Sequence, residues 1–111
     1  MEQKKNVHPT ARMHLDADRG RAELWDTLDG VDTFIGFVGF AEETIGGQQV
    51  TRLQHTIIGP AHGRKGYARS LVTLLLDHLA EQDAHFLSEC SYIDDYLRRH
   101  PEYRRFQAPV S

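Results

Sequence analysis

The stretch from residue 48 to residue 82 constrains the fold most, because its hydrophobic period changes from about two to about 3.6 across one short loop. The segment QQVTRLQHTII (48–58) is typical of a strand, and Gly59-Pro60 ends it because proline cannot donate to a sheet ladder. From Gly66 onwards, apolar residues recur at helical spacing on one face: Ala68, Leu71, Val72, Leu75 and Leu79. We therefore predict a strand, a short cationic loop and a helix that ends near Gln82-Asp83.

The segments before this stretch are typical of two antiparallel strands. RAELWDTL (21–28) and VDTFIGFVGFA (31–41) flank Asp29-Gly30, a pair that favours a type I′ hairpin turn because both positions need positive φ. Gly46-Gly47 predicts a second turn ahead of the strand at 48–58. The strand at 31–41 is apolar on both faces, so we expect helices to cover the sheet on both sides.

The end of the chain predicts a further strand and helix. AHFLSEC (84–90) is typical of a strand, and the helix before it would make it parallel to the strand at 48–58. SYIDDYLRRH (91–100) is typical of a short helix that Pro101 ends. The predicted fold class is α+β, or mixed α/β: antiparallel strands followed by a β-α-β-α half, with helices packed on a central sheet.

Length and composition are those of a small globular protein. The chain has 111 residues, which predicts a single domain over residues 1–111 with residues 1–9 as a flexible tail. A net charge of -3 argues against nucleic acid as the main partner. A single cysteine cannot form an internal disulfide, which favours a reducing compartment. No apolar run has the length of a membrane span and no secretory signal is visible, so we expect a cytoplasmic protein without membrane contact.

The cationic loop before the first helix predicts an anion site. A helix start leaves backbone N–H groups unpaired, and together with the helix dipole they attract anions. Arg64, Lys65 and Arg69 add full positive charges, which favours a pyrophosphate over a single carboxylate. A Walker loop would need glycine at position 64, and the dinucleotide pattern G-x-G-x-x-G is absent. The alternative is a helix start whose cations merely face solvent.

The same loop resembles the pyrophosphate loop of the GNAT acetyltransferase superfamily, whose pattern is R/Q-x-x-G-x-G/A. In GRKGYA (63–68), Gly66 and Ala68 occupy the last two positions of that pattern. Gly63 stands where the family has Arg or Gln, so the side-chain part of the pyrophosphate grip is expected to be weaker or rearranged.

Further segments resemble a group of very small GNAT-like proteins within that superfamily. The shared order is HT (55–56), the loop, the helix, a cysteine at the end of the next strand (Cys90), and YLRRHPEY (96–103) with an R-H-P-x-Y signature. The resemblance spans residues 20–106 and is far more specific than the loop alone.

The resemblance implies N-acetylation with acetyl-CoA (coenzyme A) as cofactor, bound where the strand at 48–58 splays from the strand at 84–90. It implies that Ile57, Ile58 and Gly59 line the pantetheine arm, and that backbone N–H groups near Ile57 stabilise the oxyanion. It also implies that the pyrophosphate lies on the loop and the first helical turn, at Gly63, Arg64, Lys65, Gly66, Tyr67, Ala68 and Arg69.

Three residues are candidates for the catalytic chemistry. Cys90 would face the thioester, where a thiolate could take the acyl group covalently, line the cofactor site, or simply be a small buried apolar residue. His55 is a candidate general base because imidazole exchanges protons near neutral pH, and the alternative is a hydrogen-bonded core histidine. Glu89 is another candidate for the general base, comparable to His55, and the alternative is that it is a solvated carboxylate.

The segment after Cys90 is expected to approach the cofactor through Tyr92 and His100, since R-H-P-x-Y resembles a closing turn. The alternative is that Pro101 ends a helix and Tyr103 packs beneath it. Seven histidines are present without HExxH or paired Cys/His spacing, so we expect no metal site.

Three functions remain open from the sequence. The first is an N-acetyltransferase for a small-molecule or protein amine, with an open cleft because the chain lacks the N-terminal helices of a GNAT acceptor pocket. The second is a non-catalytic acyl-CoA-binding module. The third is an interaction protein, for example a homodimer, whose oligomer surface is formed by Trp25, Phe34, Phe37 and Phe40.

Overall fold

The computed structural model describes residues 7–108, which form one five-stranded sheet and two α-helices. In chain order the elements are β1 (Arg12–Asp16), β2 (Arg21–Leu28), β3 (Val31–Ile45), β4 (Gln48–Ile58), α1 (Tyr67–Glu81), β5 (His85–Ser88) and α2 (Ser91–Arg99). Short 3-10 turns follow β4 at Pro60–His62 and α2 at Pro101–Phe106. The sheet order is β1-β2-β3-β4-β5, with β1 to β4 antiparallel and β5 parallel to β4. The predicted mixed α/β fold class is confirmed.

Both predicted hairpin turns are present and have the backbone that their residues favour. Asp29 and Gly30 have φ values of 50° and 76°, and Gly46 and Gly47 have φ values of 59° and 82°. Positive φ at both central positions is the signature of a type I′ turn, whose twist matches that of the flanking strands. These turns hold β2, β3 and β4 in one antiparallel meander.

The first strand was not predicted from the sequence. β1 pairs with β2 from Arg12↔Trp25 to Asp16↔Arg21 and forms one edge of the sheet. Its side chains are exposed or half-buried, so it lacks the apolar pattern that marks an inner strand. β3 is also longer than expected, since it continues to Ile45.

The helices cover one face of the sheet, and the expectation of cover on both sides is wrong. Ile35 and Val38 of β3 are fully buried in a core that includes Leu71 and Leu75 of α1. On the opposite face, Phe34 is 38% exposed. We call this side the open face; its members include Arg21, Trp25, Phe34, Phe37, His55 and Ile57.

The start of the chain is only partly within the described residues. Residues 1–6 of the predicted tail lie outside them. Residues 7–9 belong to the same prediction, yet His8 is packed against the loop before α1, as described below. Across residues 7–108, no helix combines the length and the apolar character that crossing a membrane requires.

Candidate cofactor and active site

Strands β4 and β5 diverge, which opens a gap at one end of the sheet. Their parallel pairing runs from Val50↔His85 to Leu53↔Ser88, and a last hydrogen bond joins the Glu89 amide to the Leu53 carbonyl at 2.8 Å. Beyond this point β4 continues to Ile58, while the chain after β5 turns into α2. We call this divergence the fork.

A β-bulge at Gln54 determines which side chains face each side of the fork. Gly39 pairs with His55 and Phe40 pairs with Leu53, so Gln54 is one extra residue in β4. Side chains normally alternate between the two faces of a strand. Because Gln54 is an extra residue, the side chains after Leu53 point to the opposite faces from those expected without the bulge.

The reversed alternation distributes the last residues of β4 between the two faces. Thr56 lies on the helix side, where its hydroxyl is 3.3 Å from the Cys90 sulfur, and Ile58 packs against the main core. His55 lies on the open face with its ring against Phe37, and Ile57 is 48% exposed. Ile57 and Ile58, both predicted to line the pantetheine arm, therefore point to opposite sides.

The backbone of β4 alternates in the same way. The Gly59 amide donates to the Ile35 carbonyl at 2.8 Å, so Gly59 and, two residues earlier, Ile57 direct their backbone groups towards β3. The amides of Thr56 and Ile58 consequently face the fork. The candidate oxyanion donors near Ile57 are thus the amides of its two neighbours, Thr56 and Ile58. The Gly59 amide is already hydrogen-bonded to β3.

The loop at residues 63–66, which we call the anion loop, leads directly into α1. Gly66 is the N-cap residue with φ 82° and ψ 10°, a left-handed conformation that favours glycine. Arg64 is also left-handed, with φ 62°. The amides of Tyr67, Ala68 and Arg69 lie in the first turn, where no helical carbonyl precedes them. This backbone can bind an anion at the helix start.

The cations predicted for this site are present at the helix start. Arg64, Lys65 and Arg69 are all exposed. A Cβ at Gly66 would lie 3.2 Å from the Arg69 Nη2 atom, so the guanidinium lies beside the start of α1. Gly63 has an ordinary φ of -67°, and a Cβ there would meet only the Pro60 carbonyl oxygen at 3.7 Å. The backbone at position 63 would therefore accept Arg or Gln, and its conformation does not require glycine.

Tyr67 anchors the first turn of α1 to the sheet. Its hydroxyl donates to Asp26 of β2 at 2.6 Å, and burial together with this carboxylate raises the pKa of Tyr67 to about 12. Burial alone would raise the pKa of Asp26, but hydrogen bonds from Thr10, Tyr67 and the Thr27 amide outweigh it and lower that pKa. Asp26 is thus an ionised anchor at 3% exposure.

Cys90 lies on the helix side of the fork, at the N-cap of α2, and is 7% exposed. Its amide donates to the Ser88 hydroxyl at 3.3 Å, and its sulfur contacts Thr56. The predicted strand extended to Cys90, whereas β5 ends at Ser88, so Cys90 follows the strand by two residues and lies next to the fork. A thiol here is close to any group that enters between β4 and β5.

His55 is on the other side of the sheet and does not contact Cys90. It is exposed, so the alternative of a buried core histidine is wrong. A Cβ at Gly39 would lie 2.8 Å from the His55 Nε2 atom, so the ring lies directly over this glycine. The edge of the ring meets Phe37 with the centroids 5.9 Å apart.

Glu89 lies at the base of the fork and is paired. Arg52 contacts Glu89 at 3.1 Å and also binds Glu43. The hydrogen bond from Arg52 is the main cause that lowers the pKa of Glu43. Glu89 is exposed, which agrees with the alternative of a solvated carboxylate, and it also belongs to a surface ion-pair group with Arg52 and Glu43.

Tyr92 and His100, the remaining predicted cofactor contacts, lie in different places. Partial burial raises the pKa of Tyr92, and the charge of Arg69 at the start of α1 opposes this. The Tyr92 side chain is 41% exposed. The His100 ring packs on the Tyr96 ring, with the centroids 4.3 Å apart. His100 is eight residues after Tyr92, which is about 12 Å at the helical rise. The structure does not bring His100 to the loop.

The R-H-P-x-Y segment joins the two helices. Pro101 begins the 3-10 turn after α2, and Tyr103 donates to Asp77 of α1 at 2.5 Å. A hydrogen bond of 2.7 Å between the hydroxyls of Tyr96 in α2 and Thr73 in α1 also joins the helices. This agrees with the alternative in which Pro101 ends the helix and Tyr103 packs beneath it.

Several residues at the site carried no individual signal in the sequence. Thr56 and Ser88 hold Cys90, while His8, Thr10 and Asp26 hold the first turn of α1. Spacing could not reveal Thr56, His8 or Asp26, because each acts through a partner far away in the chain. Ser88 is only two positions from Cys90, but a serine before a helix has many ordinary roles. Among the described residues, no cluster of three or more His, Cys, Asp or Glu side chains could hold a metal ion.

Comparisons with known proteins agree with this geometry. The sequence profile of the GCN5-related N-acetyl-transferase family matches residues 21–106. No curated protein matches the chain significantly.

Two solved structures are similar to the chain. The crystal structure of ribosomal-protein-alanine N-acetyltransferase from Brucella melitensis biovar Abortus 2308 has a TM-score of 0.50 and 24% identity, over 85% of this chain and 66% of that one. The crystal structure of the acetyltransferase from Vibrio fischeri has a TM-score of 0.46 and 18% identity, over 64% of this chain and 62% of that one. The chain thus spans less than two thirds of either protein.

The family profile covers more than half of the chain, from β2 to the 3-10 turn after α2, and includes the fork, the anion loop and Cys90. The likeness to the Brucella structure shows the same fold at low identity. The chain belongs to the GCN5-related N-acetyltransferase family.

Proposed function

We propose that this protein transfers an acetyl group from acetyl-CoA to an amine. The observation that carries the proposal is the fork, which ends the β4–β5 pairing at Leu53↔Ser88 beside a helix start with three cations. A gap between parallel strands next to an anion site suits an extended molecule with a pyrophosphate at one end.

The donor fits the residues that line this region. The pyrophosphate would accept hydrogen bonds from the first-turn amides of α1, with Arg64, Lys65 and Arg69 supplying charge. The pantetheine amides would pair with the backbone of Thr56 and Ile58, which faces the fork. The thioester would then lie near Cys90 and the base of the fork.

The transfer requires a neutral amine, an oxyanion site and a proton for the leaving thiolate. The amine nitrogen attacks the thioester carbonyl carbon, the carbon–sulfur bond breaks, and a proton from the amine reaches the CoA sulfur directly or through a base. An amide of β4 that faces the fork is suited to hold the oxyanion. His55 is a candidate base for an acceptor that arrives over the open face.

Direct attack is favoured over a covalent acetyl-cysteine. Cys90 is buried and contacts the Thr56 hydroxyl, while His55 lies on the opposite side of the sheet. A cysteine nucleophile needs a nearby base or another means of forming the thiolate. The proposed acceptor is a small-molecule or protein amine. The homodimer and the cytoplasmic location expected from the sequence stay predictions.

The alternative is a non-catalytic module that binds acyl-CoA. It shares the anion loop and the fork but needs neither a base nor an acceptor. Only turnover separates it from the enzyme.

Calorimetric titration with CoA tests the binding step. Arg64→Glu/Lys65→Glu should weaken binding at low ionic strength by at least about tenfold, since one unit charge at close range contributes roughly 1 kcal/mol in water. The difference should shrink at high salt. Arg104→Glu/Arg105→Glu is the matched control, with two adjacent exposed arginines in the 3-10 turn after α2.

Turnover is then measured as thiol release from acetyl-CoA with a panel of small amines and peptide amines. Amine-dependent release supports the transferase. Binding of CoA without transfer or hydrolysis supports the non-catalytic module, and failure of the wild type to bind CoA refutes both.

A further inference from the structure

The segment ahead of β1 is packed against the anion loop through His8. The His8 amide donates to the Ser70 hydroxyl at 3.0 Å, and its Nε2 donates to the Lys65 carbonyl at 2.5 Å. The imidazole also stacks on the Tyr67 ring with the centroids 4.2 Å apart and the planes 24° from parallel. One side chain thus contacts residues on both sides of Gly66.

A second contact joins the same segment to the sheet. Thr10 donates to Asp26, the carboxylate that also accepts the Tyr67 hydroxyl. The segment and the first residue of α1 therefore share one buried acceptor on β2. The shared Asp26 carboxylate thus connects both the N-terminal segment and the start of α1 to the sheet.

The anion loop has little other support. Gly63, Arg64 and Lys65 are exposed, so the hydrophobic core does not hold them. The two hydrogen bonds that His8 donates go to groups other than the first-turn amides, namely a carbonyl and a hydroxyl. The segment can therefore hold the loop and leave those amides to a ligand.

We propose that residues 7–10 form a strap that keeps the anion loop in its ligand-binding conformation, with His8 as the positioning residue. The inference rests on the proposed function in one respect, since the ligand is taken to be the pyrophosphate of CoA. Because coupling is reciprocal, CoA binding should in turn hold the strap in place.

Amide hydrogen exchange without ligand tests the strap by itself. In His8→Ala, the Ser70 amide, which donates to the Gly66 carbonyl at 3.1 Å, should exchange about tenfold faster, because the loop that carries this carbonyl loses a hydrogen bond and its contacts. Amides of the buried strand residues Leu24 and Val38 should keep their rates. His14→Ala, an exposed histidine of β1, is the matched control and should change neither set. A wild-type exchange rate at the Ser70 amide in His8→Ala would overturn the proposal.

Ligand titrations test the coupling to the cofactor. His8→Ala should weaken CoA binding about tenfold and leave pantetheine binding unchanged, because pantetheine lacks the pyrophosphate. His8→Phe keeps a ring on Tyr67 without the N–H donor, and His8→Gln keeps a donor without the ring, so each should lie between Ala and wild type. Equal losses for CoA and pantetheine would indicate general destabilisation and refute the positioning role.

The two proposals fail in different ways. If the wild type binds no CoA, the proposed function fails, and the exchange measurement alone decides on the strap. If the wild type binds CoA and His8→Ala binds it equally well, the strap fails and the proposed function stands.

Discussion

At the scale of single residues, the two candidate catalytic side chains are separated by the sheet. Cys90 contacts Thr56 on the helix side, whereas His55 contacts Phe37 on the open face. A histidine there cannot activate the thiol, so the two residues would serve different steps or different molecules.

We expect Cys90→Ala to retain turnover and to lose roughly 1 kcal/mol of unfolding free energy, because a buried side chain becomes smaller. Urea unfolding and thiol release measure the two effects. Intact-protein mass spectrometry after incubation with acetyl-CoA should show no added acetyl group. Loss of turnover with unchanged CoA affinity, together with an acetyl adduct on the wild type, would establish the covalent route instead.

Asp26 predicts a pH dependence of stability. Its pKa is lower in the folded protein than in the unfolded chain, so its contribution is present above the unfolded value, near about 4, and is lost as the pH falls through the folded value. Asp26→Asn should cost about 1 to 3 kcal/mol at pH 7 and flatten the loss of stability in acid.

Urea unfolding between neutral and acidic pH measures this effect. Asp32→Asn is the control, since Asp32 is an exposed carboxylate that pairs with Arg12 at the surface. If Asp26→Asn keeps the acid dependence of the wild type, Asp26 is not the anchor described here.

Sequence patterns could locate these residues but could not tell which face they occupy. The sequence pattern correctly indicated that Cys90 lies near the end of β5. The side of His55 depends on the bulge at Gln54, which no glycine or proline marks in QQVTRLQHTII. In the sequence, Asp26 is an ordinary polar residue of a strand, and only the structure shows that Tyr67 and Thr10 donate to it.

At the scale of elements, the start of α1 depends on a left-handed residue. Gly66→Val should cost about 1 to 3 kcal/mol and weaken CoA binding, because a β-branched residue is strained at φ 82° and would crowd Arg69. Thermal unfolding and calorimetry measure the two effects.

Gly63→Val is the matched control in the same loop. Its extended backbone and open surroundings accept a side chain, so we expect a stability within about 0.5 kcal/mol of the wild type. Equal losses in both variants would show that the backbone at Gly66 has no special role.

Elements with strong local signals were predictable, and those that depend on distant partners were not. Asp29-Gly30 and Gly46-Gly47 correctly indicated the turns, and the change of period correctly indicated α1. β1 has no apolar pattern because it is an edge strand. Phe34 and Phe37 suggested cover by helices, but Arg21 lies over both rings instead.

At the scale of the whole molecule, the ligand should contribute measurably to stability. CoA at about one hundred times its dissociation constant should add about 2.7 kcal/mol, if it binds only the folded protein. For a domain near this size the melting temperature should rise by about 10 °C. Differential scanning calorimetry with CoA and with pantetheine checks this, and no difference between the two would argue against binding through the pyrophosphate.

The fork also affects how the protein behaves when it is alone in solution. A sheet ordinarily has two outer edges, and the divergence of β4 from β5 adds a third row of unpaired backbone donors and acceptors within it. Such rows recruit strands from other chains, which is a common origin of aggregation. If the pantetheine arm pairs with this row, CoA acts as a solubilising strand. Light scattering during mild heating should then show aggregation of the free protein before that of the CoA-bound protein, at temperatures where both remain folded.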